Sequence, residues 1–529
     1  MKRMLIKSGA LAGLAVCCAA SSFAEKKPAV VNKKAEKPNV VVFLVDDMGM
    51  MDTSVPFLMD EKGTPVVAPL NEWYRTPAME RLAAQGTRFS IFYAQSVCSP
   101  TRASIMTGQN ATRHATTTWI NPGSNNRGAF GPIAWNWRGL EAGDVTLPGV
   151  LKEAGYRTIH IGKAHFGPKD SEGAEPKNLG FDVNIGGAAW GRPESYLSEN
   201  HYGNHPKYKN MTKKGKKVRT IRAVPHLEAY YDSGIFLTEA LTLEAKKQIK
   251  QSVEAEKPFF LYMAHYALHS PFDADPRFID NYADSDKPER ARKFAALVEG
   301  MDKSLNDILD ELVTLGVAED TLVIFLGDNG TDAPLGEDHA IACSAPLRGK
   351  KATRYEGGIR VPFIAAWAKP NAGNGNQQKL PIVQGFVQTQ FGTVMDLYPT
   401  ILDVAGAENP EGHEIDGYGL KRLLSGSSDP KHPDTFLMHF PHDHRSKYFT
   451  SYRNGDWKLV YHYFPEMNKQ SGHYELFNLK QDLSESRNLA NQNPEKLQMM
   501  FKAMVAQLDA EGALYPVDAD GHELRPIAP

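Results

Sequence analysis

Two short acidic segments and one cysteine-centred segment hold the residue types from which a reaction centre can be built. Asp46-Asp47 follows the apolar run Val40-Val41-Val42-Phe43-Leu44-Val45, and Asp328-Asn329-Gly330 follows Thr321-Leu322-Val323-Ile324-Phe325-Leu326 almost directly. If both runs are strands of an open α/β sheet, the residues beyond their carboxyl ends share one crevice. Three carboxylates and a carboxamide, with no histidine or thiol among them, are hard donors suited to Ca2+ or Mg2+ and not to zinc. A single aspartate pair after a strand would read as a turn, and it is the second strand end that points to a cation. Cys98-Ser99-Pro100-Thr101-Arg102 adds a different chemistry. Pro100 suits the first residue of a helix running to Gly108, which sets Cys98 at the helix N-terminus, where amides and dipole favour an anion. Arg102 lies four residues on, near the same face, and can reach back toward residue 98. On these five residues alone, a buried structural cysteine is as good a reading as a nucleophile.

The elements that must position these groups alternate along the chain. The two runs above and Pro258-Phe259-Phe260-Leu261-Tyr262-Met263 are apolar without polar alternation, as in strands buried on both faces. Segments 78–85, 147–154, 236–250, 294–315 and 393–405 have helical spacing. The predicted fold class is α/β, a large mixed, mostly parallel sheet sandwiched by helices. Beyond about residue 425 the texture changes to short aromatic-rich runs at 435–440, 449–453, 457–463 and 474–479, with Asn454-Gly455 as a turn signal. These predict a smaller antiparallel sheet covered by a helix at 494–508. The expected organisation is a catalytic α/β domain over 38–425 and a C-terminal α+β subdomain over 426–529.

The 529 residues are 42% hydrophobic and 23% charged, with a net charge of −2, an ordinary globular composition that argues against nucleic acid as a partner. Lys2, Arg3 and Lys7 precede an apolar run at 10–20, and Ser22-Phe23-Ala24 supplies small residues at a cleavage spacing. This predicts a signal peptide over 1–24, too short to span a bilayer, and a flexible lead-in over 25–37. Its removal takes three positive charges and leaves a net charge of −5. The expected location is periplasmic or secreted, without stable membrane insertion. A lipid anchor at Cys17 or Cys18 is the weaker reading, because Val16 stands where a small residue is wanted. Cys98 and Cys343 then remain, either as one bridge or with at least one kept for its chemistry.

Cys98-Ser99-Pro100-Thr101-Arg102-Ala103-Ser104-Ile105-Met106-Thr107-Gly108 resembles the C-x-P-x-R-x-x-x-x-T-G signature of type I sulfatases, in the alkaline phosphatase superfamily. Further segments resemble the family in order: Asn39 to Asp47, Gly162-Lys163-Ala164-His165, His269-Ser270-Pro271, Gly327-Asp328-Asn329-Gly330, Leu347-Arg348-Gly349-Lys350-Lys351 and Tyr355-Glu356-Gly357-Gly358-Ile359-Arg360-Val361-Pro362. Tyr474-Glu475-Leu476-Phe477-Asn478-Leu479 also fits, so the likeness covers roughly 38–490. The resemblance implies a sulfuric ester hydrolase whose Cys98 is oxidised to formylglycine by a maturation enzyme. It implies Ca2+, ahead of Mg2+, held by Asp46, Asp47, Asp328 and Asn329, with matured residue 98 completing the metal site. The hydrated aldehyde would attack sulfur and form a sulfated enzyme. Lys163 and Lys351 would offset sulfate charge, and His269, assisted by Lys351, would protonate the leaving oxygen. His165 would take the proton that expels sulfate, and Arg102 would orient the diol. The chain departs from the family at Ala164, usually Trp, and at Lys350, usually Gly. The second departure leaves two lysines to choose from, and alignment with Tyr355-Glu356-Gly357-Gly358 favours Lys351.

For the substrate, a sulfated polysaccharide or oligosaccharide is expected by analogy with the family. The insertion at 119–140 offers Trp135, Trp137 and Arg138, and His442-Asp443-His444-Arg445 offers further polar groups, with Trp137, Arg138, His442, His444 and Arg445 as candidate pocket residues. A phosphodiesterase or phosphonate monoester hydrolase is the rival enzyme, and a sugar-binding protein without catalysis is the rival of another class.

Overall fold

A computed structural model describes residues 37–529, apart from 211, 214–215 and 218–221, with side chains described outside 209–221. The predicted signal peptide and all but the last residue of the lead-in lie outside the described residues. Among those residues, no helix is long and apolar enough to cross a membrane.

The first strand shows why the sheet forms. Every residue of β1 (Asn39–Val45) is buried. Val41, Phe43 and Val45 enter one apolar layer, and Val40, Val42 and Leu44 enter the other, the two-residue period of a pleated strand. The remaining strands of this sheet are β2 (Thr87–Phe89), β3 (Arg157–Gly162), β4 (Val183–Ile185), β5 (Phe259–His265), β6 (Thr321–Gly327), β7 (Phe363–Trp367) and β8 (Phe386–Gln388). Their spatial order is β8-β2-β7-β6-β1-β5-β3-β4. Only β7 runs against its neighbours; every other pair is parallel.

Helices cover both faces. On one lie α1 (Pro77–Gln85), α4 (Leu237–Glu254) and α5 (Glu289–Thr314); on the other lie α2 (Cys98–Thr107), α3 (Leu147–Glu153) and α6 (Leu397–Ala405). In α5 the buried positions Phe294, Val298, Met301, Leu305, Ile308 and Leu312 form a stripe at three- and four-residue spacing. All ten residues of α2 are buried, so it has no solvent face. This helix begins at Cys98, two residues before Pro100, and ends at Gly108 in the left-handed region.

A second sheet is antiparallel, with β9 (Thr435–Asp443), β10 (Lys447–Asn454), β11 (Trp457–His462) and β12 (Tyr474–Asn478) in sequence order. Phe436, Met438, Phe449 and Val460 pack on Tyr93, Tyr355 and Phe391 of the α/β body. The opposite face, including Leu437, Leu459 and Leu476, is closed by α7 (Pro494–Ala510).

A buried ionic cluster ties this sheet to the body. Lys458 Nζ lies 3.0 Å from Glu356 Oε1 and 2.8 Å from Glu485 Oε1, and the Tyr93 hydroxyl donates to Glu356 Oε2 at 2.7 Å. Burial pushes Glu485 up to about 7, whereas at Glu356 the neighbouring Lys458, Arg453 and Arg360 outweigh burial and hold the carboxyl at about 2. Lys458→Met would strand Glu485 in the interior and take from Glu356 the first of its three cations, at an expected cost of about 3–5 kcal/mol. Lys303→Met, which removes an exposed i,i+4 pair with Asp307, is expected to cost about 0.3–0.5 kcal/mol. Chemical unfolding of the two variants checks the contrast, and equal midpoints would contradict it.

Candidate active site

The four central strands β6, β1, β5 and β3 are adjacent and parallel, so their carboxyl ends open on one crevice. Each is followed there by polar side chains: Asp328 and Asn329 after β6, Asp46 and Asp47 after β1, His269 in the loop beyond β5, and Lys163 and His165 after β3. The parallel register pairs Val45 with Gly327 on one side and with His265 on the other, which brings the two acidic ends level. The Asp47 amide donates to Asp328 Oδ1 at 3.0 Å. One oxygen each from Asp46 and Asp328 lies within 4.8 Å of the other and of Cys98 Sγ.

These carboxylates are fully buried, and three cations meet them. Arg102, projecting from α2, donates through Nε and Nη2 to Asp328 Oδ2 at 3.0 and 2.8 Å and through Nη1 to the Lys163 carbonyl at 2.7 Å. Lys163 Nζ lies 2.7 Å from both oxygens of Asp46. Lys351 Nζ donates to Asp47 Oδ1 at 2.5 Å. Burial alone would raise the Asp47 carboxyl, but Lys351 and His269 hold it well below the usual range. Burial works against the Arg102 charge, and Asp328 more than reverses it. Two buried acceptors, Asp47 Oδ2 and Asn329 Oδ1, have no hydrogen-bond partner. Unpaired buried oxygens beside hard carboxylate donors fit a hard divalent cation.

The Asn329 loop comes close to the segment that bears Lys351. Gly330 N–H donates to Gly358 O at 3.0 Å, and a Cβ on Gly330 would stand 2.0 Å from Gly357 O, so only glycine fits. The Lys351 amide in turn donates to Thr331 O at 2.9 Å. Of the two adjacent lysines, Lys351 reaches the acidic centre, and Lys350 turns to Asp338 at 3.3 Å.

His165 has its tautomer set by its contacts. Nε2 lies 2.7 Å from Ile120 O, and a carbonyl can only accept, so Nε2 carries the hydrogen. Its bare Nδ1 then faces Cys98 Sγ at 3.4 Å. Burial, reinforced by Lys163, keeps the ring neutral. His269 Nε2 stands 3.7 Å from Asp47 Oδ2 while Nδ1 contacts Ser270 O at 3.0 Å, and burial and Lys351 also favour its neutral form. His265, the last residue of β5, bonds Ser304 at 2.8 Å and takes no part. Cys98 and Cys343 are both free, so the bridge that the sequence allowed does not form.

A cleft of about 300 Å³ opens over this centre, lined by Cys98, Trp119, Asn121, Pro122, His165, Gly191, Arg192, Arg222, His269, Asp332, Lys351, His444 and Arg445. His444 and Arg445 therefore reach it, with Arg445 held 2.7 Å from Asp332. Three expected pocket residues are placed elsewhere. Trp137 gives its indole N–H to Asn121 O at 3.2 Å, behind the wall. Arg138 pairs with Glu141 at the solvent surface. His442, inside the strand and beside the Phe440 ring, is buried between the Thr117 hydroxyl at 2.8 Å and Arg127 O at 3.1 Å. Trp119, Arg192, Arg222 and Asp332 are cleft residues that no motif marked; three stand in irregular segments, and Trp119 opens the insertion without its own signal.

The fold and this cleft define a hydrolase of the alkaline phosphatase superfamily. Residues 38–407 match the Sulfatase family, and residues 350–511 match the N-sulphoglucosamine sulphohydrolase C-terminal family. A sulfatase of Formosa agariphila is 30% identical over 512 residues, covering 87% of this chain and 86% of that protein. Mouse N-acetylgalactosamine-6-sulfatase is 31% identical over 395 residues, covering 73% of this chain and 66% of that enzyme, just under two thirds of it. Among solved structures, the PsFucS1 sulfatase from Pseudoalteromonas sp. superposes with a TM-score of 0.64 at 25% identity, covering 92% and 93% of the two chains. Ps i-CgsB in complex with k-i-k-neocarrahexaose gives 0.66 at 22% identity, covering 93% and 95%, and supports the fold. The chain belongs to the type I sulfatase family and is a sulfuric ester hydrolase.

Lys351→Ala is expected to lower kcat/KM for an aryl sulfate by about 10²–10³, the usual effect of losing one donor to a developing oxyanion. Lys350→Ala, at a carboxylate outside the centre, is expected to change it by less than about threefold. Steady-state kinetics of the two variants decide, and the reverse ranking would assign the role to Lys350.

Proposed function

We propose that the protein removes O-sulfate groups from a sulfated oligosaccharide or polysaccharide, with Cys98 matured to formylglycine and Ca2+ held by Asp46, Asp47, Asp328 and Asn329. The observation that carries this reading is the position of residue 98, between the carboxylates and the bare Nδ1 of His165. Bound there, the cation supplies positive charge that acidifies a hydroxyl on the hydrated aldehyde. The rest falls to the chain's own residues. Arg102 holds Asp328 and the Lys163 carbonyl, and so fixes both sides of the nucleophile's seat. Lys163 and Lys351 offset charge on the sulfate oxygens, and His269, neutral at rest, must first take up a proton at Nε2 to protonate the leaving oxygen, with Lys351 assisting. His165, neutral and hydrogen-free at Nδ1, accepts the proton of the second hydroxyl. A serine or an intact thiol has no second hydroxyl, which is the reason for the aldehyde.

A carbohydrate substrate is supported by Trp119, whose ring can stack on a sugar face, and by the cationic groups of the cleft. It is supported too by the relatives, one described as an N-acetylgalactosamine-6-sulfatase and another bound to a neocarrahexaose. Export to the periplasm or medium is supported by the basic, apolar and small-residue order of residues 1–24, and maturation calls for a formylglycine-generating enzyme in the host. The test is a panel of defined sulfated mono- and oligosaccharides, with matched phosphate esters, given to protein from its native host. Sulfate release from a glycan should exceed phosphate release, and tryptic peptide 89–102 should contain an aldehyde. Preference for phosphate esters, or activity with an intact thiol at 98, would overturn the reading.

A further inference from the structure

The cationic groups of the cleft are not equally matched. Arg445 sits on two carboxylates, Asp332 at 2.7 Å and Asp338 at 3.4 Å. Arg222 reaches Glu194 at 3.3 Å. Arg192 has no carboxylate within 4.0 Å among the described residues, and the one hydrogen bond of its guanidinium is from Nη1 to Pro193 O at 3.2 Å. Arg192 and Arg222 thus have one carboxylate, Glu194, between them, and this wall carries a surplus positive charge. Arg192 is also half-buried, and burial with the nearby Arg222 works against its charge. A guanidinium that has lost part of its water without gaining a counter-charge is ready for an external anion.

Its place relative to the nucleophile is fixed through the preceding residue. A Cβ on Gly191 would stand 2.6 Å from the His165 ring, so the backbone lies against the imidazole that faces Cys98. The scissile sulfate is served by Lys163 and Lys351, which leaves Arg192 beside the reaction centre with a different task. We propose that Arg192 binds a second anionic group of the substrate, a uronate carboxylate or a further sulfate, on the sugar next to the one that loses its sulfate. This rests on the sulfated-carbohydrate reading above and makes the substrate class polyanionic. A fork of N–H donors suits either oxyanion, with Trp119 in the same cleft to hold the sugar face.

Three matched disaccharides test it: one singly sulfated and otherwise neutral, one singly sulfated with a uronate, and one doubly sulfated. Their affinities are measured by calorimetry on the full chain carrying Cys98→Ser, which binds without turnover, with and without Arg192→Ala or Arg192→Gln. The expected result is tighter binding of a dianionic disaccharide than of the monoanionic one. Either Arg192 variant should lower that ratio by about tenfold or more. The ligand whose ratio falls, uronate or second sulfate, identifies the anion. Equal affinity for all three, binding of none, or a ratio unmoved in both variants overturns the proposal. Hydrolysis of p-nitrophenyl sulfate by native-host protein without the Cys98 substitution, matured at that position, reports separately on the sulfatase reading. Hydrolysis by the matured protein together with an unmoved affinity ratio removes the Arg192 assignment alone.

Discussion

The structure depends on how three carboxylates are brought together with three cations in a dry interior. Asp46, Asp47 and Asp328 meet where two adjacent parallel strands end, with no exposure to solvent. Buried like charges at such range either neutralise or are met by opposite charge. Arg102, Lys163 and Lys351 meet them one for one. With all six groups ionised the centre is neutral, and a divalent cation would leave it two positive charges in excess. A sulfate monoester and an ionised nucleophile would return it to neutrality, so the centre suits an anionic ester under attack by an anion.

Much of the remaining fold serves that balance. α2 lies wholly in the interior, because its first residue must reach the acidic centre and its fifth must clamp Asp328. The glycines at 330, 357 and 358 bring two backbones close enough to carry Lys351 to Asp47. The second sheet packs on the segment that includes Tyr355 and Ile359 and neutralises Glu356 through Lys458, so it stabilises from behind the strip that bears Lys351. The same sheet sends Arg445 over the cleft, where it caps Asp332.

The central strands were legible in the sequence because burial on both faces leaves them uniformly apolar, as in 40–45 and 321–326. The strands at 87–89, 183–185 and 386–388 have three residues each, too few for a pattern. β3 escaped notice because His160 breaks its apolar run while being buried in the structure. The acidic ends, Cys98, Arg102 and the Lys163, His165, His269 and Lys351 positions follow from motifs, and the structure gathers them around one cleft. The cleft's outer wall was not legible. His442 and His444 look equivalent in sequence, but the first is buried within the strand that ends at Asp443 and the second lies in the turn beyond it. Trp137 looks as available as Trp119, but its indole is spent on Asn121 O. Arg192 has no signal at all, since only chain folding sets Gly191 against His165.

The most direct test of the charge-balance account is a crystal structure of the protein saturated with Ca2+. The account predicts one cation peak among Asp46, Asp47, Asp328 and Asn329, with Lys163 and Lys351 released from their carboxylates toward the cleft. A saturated crystal with no peak there, and with both lysines still on Asp46 and Asp47, would contradict it.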